Sequence, residues 1–247
     1  MRIAVDTLGG DAGPGAAVQG AAIAIQAWPG LEVDLFGPGE QLAAEVASLP
    51  RHLAAAGLRL SVHHAPGLIH PEQRPSDALR RGAASSMALM LAHVAAGHAV
   101  AGVSAGNTGA LMALARRALG TVAQIPRPAI CTAIPTHDEG RCYLLDLGAN
   151  VDASAKRLVD FARMGEVMAR HIDELDAPRV ALLNVGGEAT KGSETVREAD
   201  ALLKQLDSLN YVGFVEGDGI FAGSADVVVC DGFVGNVVLK LTEGMAM

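Results

Sequence analysis

The chain has 247 residues, of which half are hydrophobic and 19% are charged, so it can bury a large core and is not a disordered protein. Its formal net charge is −8 and no basic stripe interrupts the sequence, which excludes a nucleic-acid-binding protein. Aromatic residues make up only 3% of the chain. Small and branched aliphatic residues must therefore fill the core, which is typical of parallel strands buried on both faces.

Predicted strands and helices alternate along the chain. Short β-branched runs predict strands at 3–6, 33–36, 58–64, 100–104, 129–132, 143–147, 180–184, 211–214 and 225–230. Helical spacing of Ala and Leu predicts helices at 16–28, 41–49, 76–96, 110–119, 155–170 and 194–206. This alternation predicts the α/β class with a doubly wound, mainly parallel sheet. We expect one catalytic unit over 1–247, divided into two lobes near the Pro-rich segment 125–135.

The start of the sequence resembles a strand rather than a secretory signal. The three cysteines, Cys131, Cys142 and Cys230, form no CxxC pair, and the N-terminus enters a strand directly. No apolar run reaches the roughly 20 residues that a membrane-spanning helix needs. We therefore expect a protein of the reducing cytoplasm.

Glycine-rich segments follow most of the predicted strands. Ligands of open parallel sheets bind beyond the carboxyl ends of the strands, where glycine lets the backbone approach them closely. The segments in question are 9–11, 104–109, 148–150, 186–188, 216–218 and 231–236. In one parallel sheet these loops would converge on one edge. Together they predict a site for phosphate.

The segment 103–110 lies between a predicted strand and a predicted helix. The free N–H groups and the dipole of a helix N-terminus favour an anion, and Ser104, Asn107 and Thr108 add side-chain donors. The ordinary alternative is a βα turn in which Ser or Thr caps the helix. Because the segment is neither a Walker A loop nor GxGxxG, it does not predict nucleotide binding.

The same segment matches the GxSxG pattern of serine hydrolases at residues 102–106. In that interpretation Ser104 is a nucleophile, with His137 or His171 as its base. Neither histidine lies in a loop that clearly reaches this edge.

Lys191 and several carboxylates also lie near strand ends. Lysine is scarce in this chain, and Lys191 offers a point charge for phosphate or a developing oxyanion; the alternative is a solvated loop lysine. The carboxylates are Asp6, Asp11, Asp146, Glu188 and Asp231. We expect them to hold Lys191 or backbone donors, to cap helices or to act as a base; a magnesium site is the alternative. His63, His64 and His70 indicate surface histidines, and we expect no metal site.

These loops, in this order, resemble the bacterial phosphate acyltransferase family of phospholipid synthesis, known as PlsX. The matching segments are DTLGGD (6–11), SSM (85–87), VSAGNTGALM (103–112), LLDLGANVD (144–152), VALLNVG (180–186), KG (191–192) and VCDGFVGNVVLK (229–240). The resemblance implies a fold similar to those of phosphotransacetylases and isopropylmalate dehydrogenases. It also implies that inorganic phosphate takes a long-chain acyl group from acyl carrier protein, in a homodimer without a redox cofactor.

The resemblance supports roles for particular residues. Ser104, Asn107 and Thr108 would cradle phosphate, while Lys191 and Asn236 would stabilise charge. Asp231 would orient Lys191 or a substrate proton, and a further group would complete the ring of substrate-binding residues: Asp11, Asn150 and Glu188. Met87, Leu111 and Met112 would line an acyl slot or pack in the core. The pairs Arg80–Arg81 and Arg116–Arg117 would meet the acidic carrier protein or lie on solvated helix faces.

The chain departs from the family pattern in two places. Members often carry GEE where this chain has GGE at 186–188. The family also continues beyond Met247 with helices that include an amphipathic segment linked to membrane contact, so we expect a fragment. Two alternatives stay open. One is a phosphotransacetylase that acts on coenzyme A, although no adenine-pocket signature is visible. The other is a truncated chain that binds carrier protein without turnover.

Overall fold

A computed structural model describes residues 1–246 of the chain. They form two compact units, residues 1–121 and a second unit from Val122 onward. Each unit contains its own sheet, one of four strands and one of five. The predicted α/β class with mainly parallel pairing is confirmed. The strands are divided between two sheets, which periodicity alone does not reveal because it carries no information about pairing partners.

The first unit alternates strands and helices throughout. Its elements are β1 (Arg2–Asp6), α1 (Gly13–Ala27), β2 (Glu32–Gly37), α2 (Gly39–Ala47), a 3₁₀ helix (Ala54–Arg59), β3 (Leu60–His64), α3 (Pro75–Arg81), α4 (Ser86–Ala95), β4 (Ala101–Ser104) and α5 (Thr108–Leu119). The sheet order is β3-β2-β1-β4 and every pair is parallel. All four carboxyl ends therefore lie at one edge of this sheet.

The order of these strands reverses beside β1. The chain adds β2 and β3 on one side of β1 and then returns to place β4 on the other. Asp6 and Ser104, the last residues of β1 and β4, are register partners. A crevice for a ligand is expected at such a reversal, outside the carboxyl ends of the two strands.

The second unit has one antiparallel strand at an otherwise parallel sheet. Its elements are β5 (Cys131–Pro135), β6 (Arg141–Leu145), α6 (Ala155–Ile172), β7 (Val180–Leu183), α7 (Glu194–Leu203), β8 (Tyr211–Val215), α8 (Gly217–Phe221), β9 (Val227–Val229) and α9 (Gly232–Ala246). The order is β5-β6-β9-β7-β8, with only the β5–β6 pair antiparallel. The loops that follow β6, β9 and β7 are therefore neighbours along one edge.

Central strands of the two sheets, β2 in the first and β9 in the second, are buried on both faces. In β2, Leu35 packs into the aliphatic cluster that includes α1 and α2, whereas Phe36 packs into the cluster that includes α4 and α5. In β9, Val227 and Val228 belong to different clusters in the same way. The Val, Leu and Ala runs of these strands are thus explained by burial on both faces.

The prediction of one continuous helix over 76–96 is wrong. Two helices, α3 and α4, occupy this segment, and Gly82 follows the first of them. Ser85 caps the second by accepting a hydrogen bond from the amide of Ala88 at 3.1 Å. The periodicity of leucine and alanine continues from the first helix into the second, so the pattern gave no sign of the break between them. The predicted strand at 58–64 likewise begins only at Leu60, because the residues before it form the 3₁₀ helix.

Among residues 1–246, no helix combines the length and the apolar character needed to cross a bilayer.

Candidate functional site

The buried carboxylate of Asp6 organises the carboxyl edge of the first sheet. It is 5% exposed and accepts hydrogen bonds from the hydroxyls of Ser86 at 2.6 Å and Ser104 at 2.7 Å, and from the amide of Leu8 at 3.2 Å. Hydrogen bonds to an ionised group are roughly twice as strong as neutral ones. Asp6 therefore ties β1 to the end of β4 and to the first turn of α4.

The loops after β1 and β4 approach each other very closely. A Cβ atom added to Gly9 would lie 2.6 Å from the amide nitrogen of Gly106 and 2.8 Å from Ser104 Oγ. No side chain fits there, so glycine is required for the backbone contact itself. This explains one glycine of the segment 9–11 without reference to a ligand.

Two of the three residues predicted to cradle phosphate are held by the protein. Ser104 donates its proton to Asp6 and accepts a hydrogen bond from the amide of Gly106 at 3.1 Å. Asn107 caps α5 through its oxygen, which accepts from the amide of Ala110 at 2.9 Å, and its Nδ2 donates to the carbonyl of Pro71 at 2.7 Å. The helix cap is thus Asn107, where the sequence indicated Ser or Thr.

The third residue, Thr108, is exposed at the first position of α5. The amides of Thr108 and Gly109 have no intrahelical partner, because the first N–H groups of any helix lack one. The positive end of the helix dipole lies behind them. An anion at this end of α5 would contact these amides and the Thr108 hydroxyl.

An apolar cavity of about 540 Å³ lies in the first unit, beside β1 and α1. Its lining extends from Ile3 along β1 to Asp6, and includes Gly10 and Asp11 of the following loop. Asp11 is exposed at this edge. Met87, predicted to line an acyl slot, is 1% exposed in the core cluster that includes α4 and α5 and does not line this cavity.

A second buried carboxylate, Asp146, organises the edge of the second sheet. It is fully buried and accepts hydrogen bonds from the amides of Ile130 at 2.8 Å, Ala149 at 3.2 Å and Asn150 at 2.6 Å. The side-chain nitrogen of Asn150 donates to Asp146 at 3.0 Å and to the carbonyl of Pro128 at 3.0 Å. Asn150 was predicted to contact substrate; here both of its N–H groups bind the protein.

The N-terminus of α9 lies beside this loop. Asp231 accepts a hydrogen bond from the amide of Val234 at 2.9 Å and so caps the helix. Asn236 is exposed, and its Oδ1 would lie 3.6 Å from a Cβ atom added to Gly148. The side chain of Asn236 therefore lies against the backbone of the loop after β6.

Asn184 shapes the loop that carries Lys191. Its side-chain nitrogen donates to the carbonyls of Gly186 at 3.0 Å and Lys191 at 3.3 Å, which folds the segment after β7 back on itself. Lys191 and Glu188 are both exposed, and the Lys191 amide donates to the carbonyl of Glu188 at 3.0 Å. Since β7 and β9 are neighbours, Lys191 and Asp231 belong to adjacent loops of one edge.

The predicted site residues thus fall on two carboxyl edges. The first unit carries Asp11, Ser104, Asn107 and Thr108, and the second carries Asn150, Glu188, Lys191, Asp231 and Asn236. Sequence analysis missed the positioning roles of Ser86 and Asn184. Each is a polar residue at a strand end or a helix start, and that position was the only signal available.

The cysteines and Ser104 are poorly suited to covalent catalysis. Burial raises the pKa of the Cys131 and Cys142 thiols to about 12, and it also raises the pKa of Cys230, so all three are protonated at neutral pH. The Ser104 hydroxyl donates to a carboxylate, and within residues 1–246 no histidine ring bonds to it. The hydrolase arrangement is not formed in the described structure.

Gly235 of α9 provides a test of this packing. A Cβ atom added there would lie 1.8 Å from the carbonyl oxygen of Asp146, so Gly235→Ala must push α9 away from the loop after β6. We expect a loss of about 3 kcal/mol or more in the free energy of unfolding, measured by urea denaturation. Gly244→Ala in the same helix meets nothing within 4 Å and should be neutral or slightly stabilising. Equal stabilities of the two variants would contradict this packing.

Comparison with known proteins identifies the family. The model of a family described as "Fatty acid synthesis protein" matches residues 1–247. A phosphate acyltransferase of Pseudomonas syringae pv. syringae is 52% identical over 99% of this chain and 70% of its own length, and that of Alcanivorax borkumensis is 48% identical over 100% and 72%. A branched-chain phosphotransacylase from Enterococcus faecalis V583 has the same fold, with a TM-score of 0.60 at 17% identity over 98% of this chain and 84% of its own. The resemblance seen in the sequence is confirmed, and the chain belongs to this family of fatty acid synthesis proteins.

Proposed function

We propose that this protein transfers a long-chain acyl group from acyl carrier protein to inorganic phosphate and so forms an acyl phosphate. The observation that carries the proposal is in the first unit, where unpaired amides of α5 and a large apolar cavity occur at the carboxyl edge of one sheet. A phosphate anion and an acyl chain need these two environments. The curated names of relatives at about 50% identity support the same reaction.

The chemistry requires no enzyme nucleophile. A phosphate oxygen attacks the thioester carbonyl carbon and forms a tetrahedral oxyanion; its collapse breaks the C–S bond and releases the carrier thiol, which takes up a proton. The protein contributes orientation of the two reactants and stabilisation of the oxyanion. The high pKa values of the three thiols agree with direct attack by phosphate rather than an acyl-enzyme.

Several residues have proposed roles in this reaction. The amides of Thr108 and Gly109 hold phosphate at α5, while Ser104 and Asn107 keep the loop in shape. The Lys191 ammonium and the Asn236 amide stabilise developing negative charge. In the second unit, Asp231 positions the start of α9 and Asn150 the loop after β6.

The apolar cavity is the proposed acyl site. Its volume of about 540 Å³ lies within the usual range of ligand pockets, roughly 300–1,000 Å³. Its lining begins at the carboxyl edge, where Asp6 and Gly10 lie, and continues to Leu31 near the opposite end of the strands. A chain that enters at the edge would leave its thioester near the loops.

Exposed arginines support an acidic carrier protein as the partner. Arg80 and Arg81 end α3, Arg116 and Arg117 lie near the end of α5, and these two helices pack together. Local positive charge of this kind steers an acidic protein despite the net charge of −8. We further propose that the protein acts as a cytoplasmic homodimer with peripheral membrane contact through the family's C-terminal region.

The decisive experiment follows palmitoyl-acyl carrier protein in the presence and absence of inorganic phosphate, with acyl phosphate detected by mass spectrometry. Product that forms only with phosphate supports the proposal. Thioester loss without phosphate would indicate a hydrolase, and product from palmitoyl-coenzyme A alone would favour the phosphotransacetylase alternative. Tight carrier binding with no turnover by folded protein would mean that this chain only binds its partner.

The variant Gly20→Leu tests the cavity. Gly20 lines it, and an added Cβ atom would meet nothing within 4 Å, so leucine can enter the cavity without disturbing α1. Displacing about three methylenes of the acyl chain, at ~0.8 kcal/mol each, should lower kcat/KM for a palmitoyl substrate by about 50-fold. A butyryl substrate should be unaffected. The control Gln19→Leu adds leucine on exposed helix surface, and equal effects of the two variants would contradict the assignment.

Charge reversal tests the carrier surface. The double variant Arg81→Glu, Arg116→Glu should raise KM for acyl carrier protein by about tenfold, with the difference shrinking at high salt. The control double variant, Arg51→Glu and Arg127→Glu, makes the same charge change at other exposed sites. If both double variants raise KM equally, net charge rather than this surface controls the encounter.

A further inference from the structure

Three side chains of the first unit that the proposed reaction does not use converge on one point. Asp34 lies in β2, His63 in β3 and His93 in α4, and their ligand atoms lie within 4.8 Å of one another. His93 Nε2 lies 2.7 Å from Asp34 Oδ2, and His63 Nε2 lies 3.4 Å from Asp34 Oδ1. His64, the next residue after His63, lies outside this cluster, and its Nδ1 accepts a hydrogen bond from the amide of Gly39 at 3.2 Å.

Two atoms of this cluster are buried without a partner. Asp34 is 1% exposed, and among residues 1–246 neither its Oδ1 atom nor His63 Nε2 has a hydrogen-bond partner. A buried polar atom without a partner costs about 1–3 kcal/mol and more when it is charged. These two atoms lie 3.4 Å apart, so two unsatisfied polar atoms meet at one point of the cluster.

Neighbouring side chains pack against the two histidines and place positive charge beside the aspartate. The Phe36 ring stacks on His63 with centroids 4.7 Å apart and meets the edge of His93 at 5.2 Å. Arg2 approaches Asp34 Oδ2 at 3.9 Å, but its guanidinium is bound mainly by Glu32, with Nε 3.0 Å from the carboxylate. The positive charge of Arg2 thus lies on the Oδ2 side of Asp34, and Oδ1 faces His63 Nε2.

We propose that Asp34, His63 and His93 bind one divalent transition-metal ion of the Zn²⁺ class. Bonds of 2.0–2.1 Å in a tetrahedral site place ligand atoms about 3.4 Å apart, which matches the spacing of His63 Nε2 and Asp34 Oδ1. The His93–Asp34 hydrogen bond would be exchanged for a metal bond. Two imidazoles with one carboxylate suit Zn²⁺, whereas Mg²⁺ and Ca²⁺ prefer oxygen ligands alone.

The position of this site indicates a structural rather than a catalytic role. His93 lies near the end of α4, and Ser86, the first residue of the same helix, donates to Asp6 at the carboxyl edge. A metal ion would therefore hold α4 to β2 and β3 at one end while Asp6 holds it at the other. The ion would stabilise the helix that helps to position the candidate site.

The test is metal binding by the untagged, chelator-treated full chain. Calorimetric titration with Zn²⁺ should give one ion per chain, the visible spectrum of Co²⁺ should change on binding, and Zn²⁺ should raise Tm. His93→Gln and Asp34→Asn should each weaken Zn²⁺ binding at least tenfold. His70→Gln, which changes an exposed histidine of the same unit, should leave the affinity unchanged.

Two results would overturn the proposal. One is the absence of stoichiometric Zn²⁺ binding by the unchanged chain. The other is equal Zn²⁺ affinity in His93→Gln and His70→Gln. If Asp34→Asn fails to fold, as judged by circular dichroism without metal, His93→Gln decides the outcome, because His93 is partly exposed and its loss leaves no unpaired charge on that helix.

Discussion

Replacing Lys191 by alanine is expected to lower kcat for acyl phosphate formation by about 10²–10³-fold, the usual cost of removing one group that stabilises an oxyanion. The loop is held by the Asn184 side chain through backbone carbonyls, so it should keep its shape without the lysine side chain. Lys191 is exposed, and the free energy of unfolding should therefore change by less than about 0.5 kcal/mol. The measurement is steady-state kinetics with palmitoyl-acyl carrier protein and phosphate.

Lys156→Ala is the matched control, since Lys156 is also an exposed lysine of the second unit but lies at the start of α6. It should keep nearly full activity. Lys191→Arg is a third variant to measure, because arginine keeps the positive charge but changes the geometry of the charged group. If Lys191→Ala and Lys156→Ala have equal activity, Lys191 is a solvated loop residue, which was the alternative interpretation of the sequence.

The sequence predicted most of the local structure, because the period of a strand or a helix depends on residues that lie close together along the chain. It did not predict the division into two sheets, because periodicity does not say which strands pair with one another. It also joined α3 and α4 into one helix. The Ser85 cap that separates them is a short polar signal within a long apolar pattern.

The sequence predicted which types of residue lie at the sheet edges better than it predicted the contacts that those residues make. Glycine and small polar residues after the strands lie at the carboxyl edges of the two sheets, because those positions follow from the α/β pattern. The pattern could not tell a ligand contact from an internal one. Asn107 and Asn150 were expected to face substrate, yet their side chains bond to Pro71 and Asp146. Such partners depend on tertiary packing and leave no local trace in the sequence.

The internal contacts have a function of their own, which is to fix loops that carry the exposed groups. Asp6 and Asp146 play equivalent parts in the two units: each is a buried carboxylate at a strand end that gathers donors from adjacent segments. Oxyanion stabilisation depends on donors that are already oriented. Lys191, for example, is exposed on a loop that the buried Asn184 side chain folds.

Asp146→Ala should accordingly destabilise the second unit strongly. It leaves the amides of Ile130, Ala149 and Asn150 without their acceptor inside the second unit. Each buried donor that is left without an acceptor costs about 1–3 kcal/mol, so the loss for three amides is a large part of the stability of a typical domain. We expect a fall of about 4 kcal/mol in the free energy of unfolding, measured by urea denaturation.

Asp231→Ala is the comparison, because Asp231 is partly exposed and, within residues 1–246, its carboxylate accepts one hydrogen bond, the cap from the amide of Val234. Loss of that cap should cost about 1 kcal/mol. Each variant removes one carboxyl group, and the two loops are neighbours at one sheet edge. The difference between their free energies of unfolding therefore measures the effect of burial and of the number of donors. If Asp146→Ala were no less stable than Asp231→Ala, the amides around Asp146 would have to find water or other acceptors. The carboxylate could then not be what holds the loop after β6 in place.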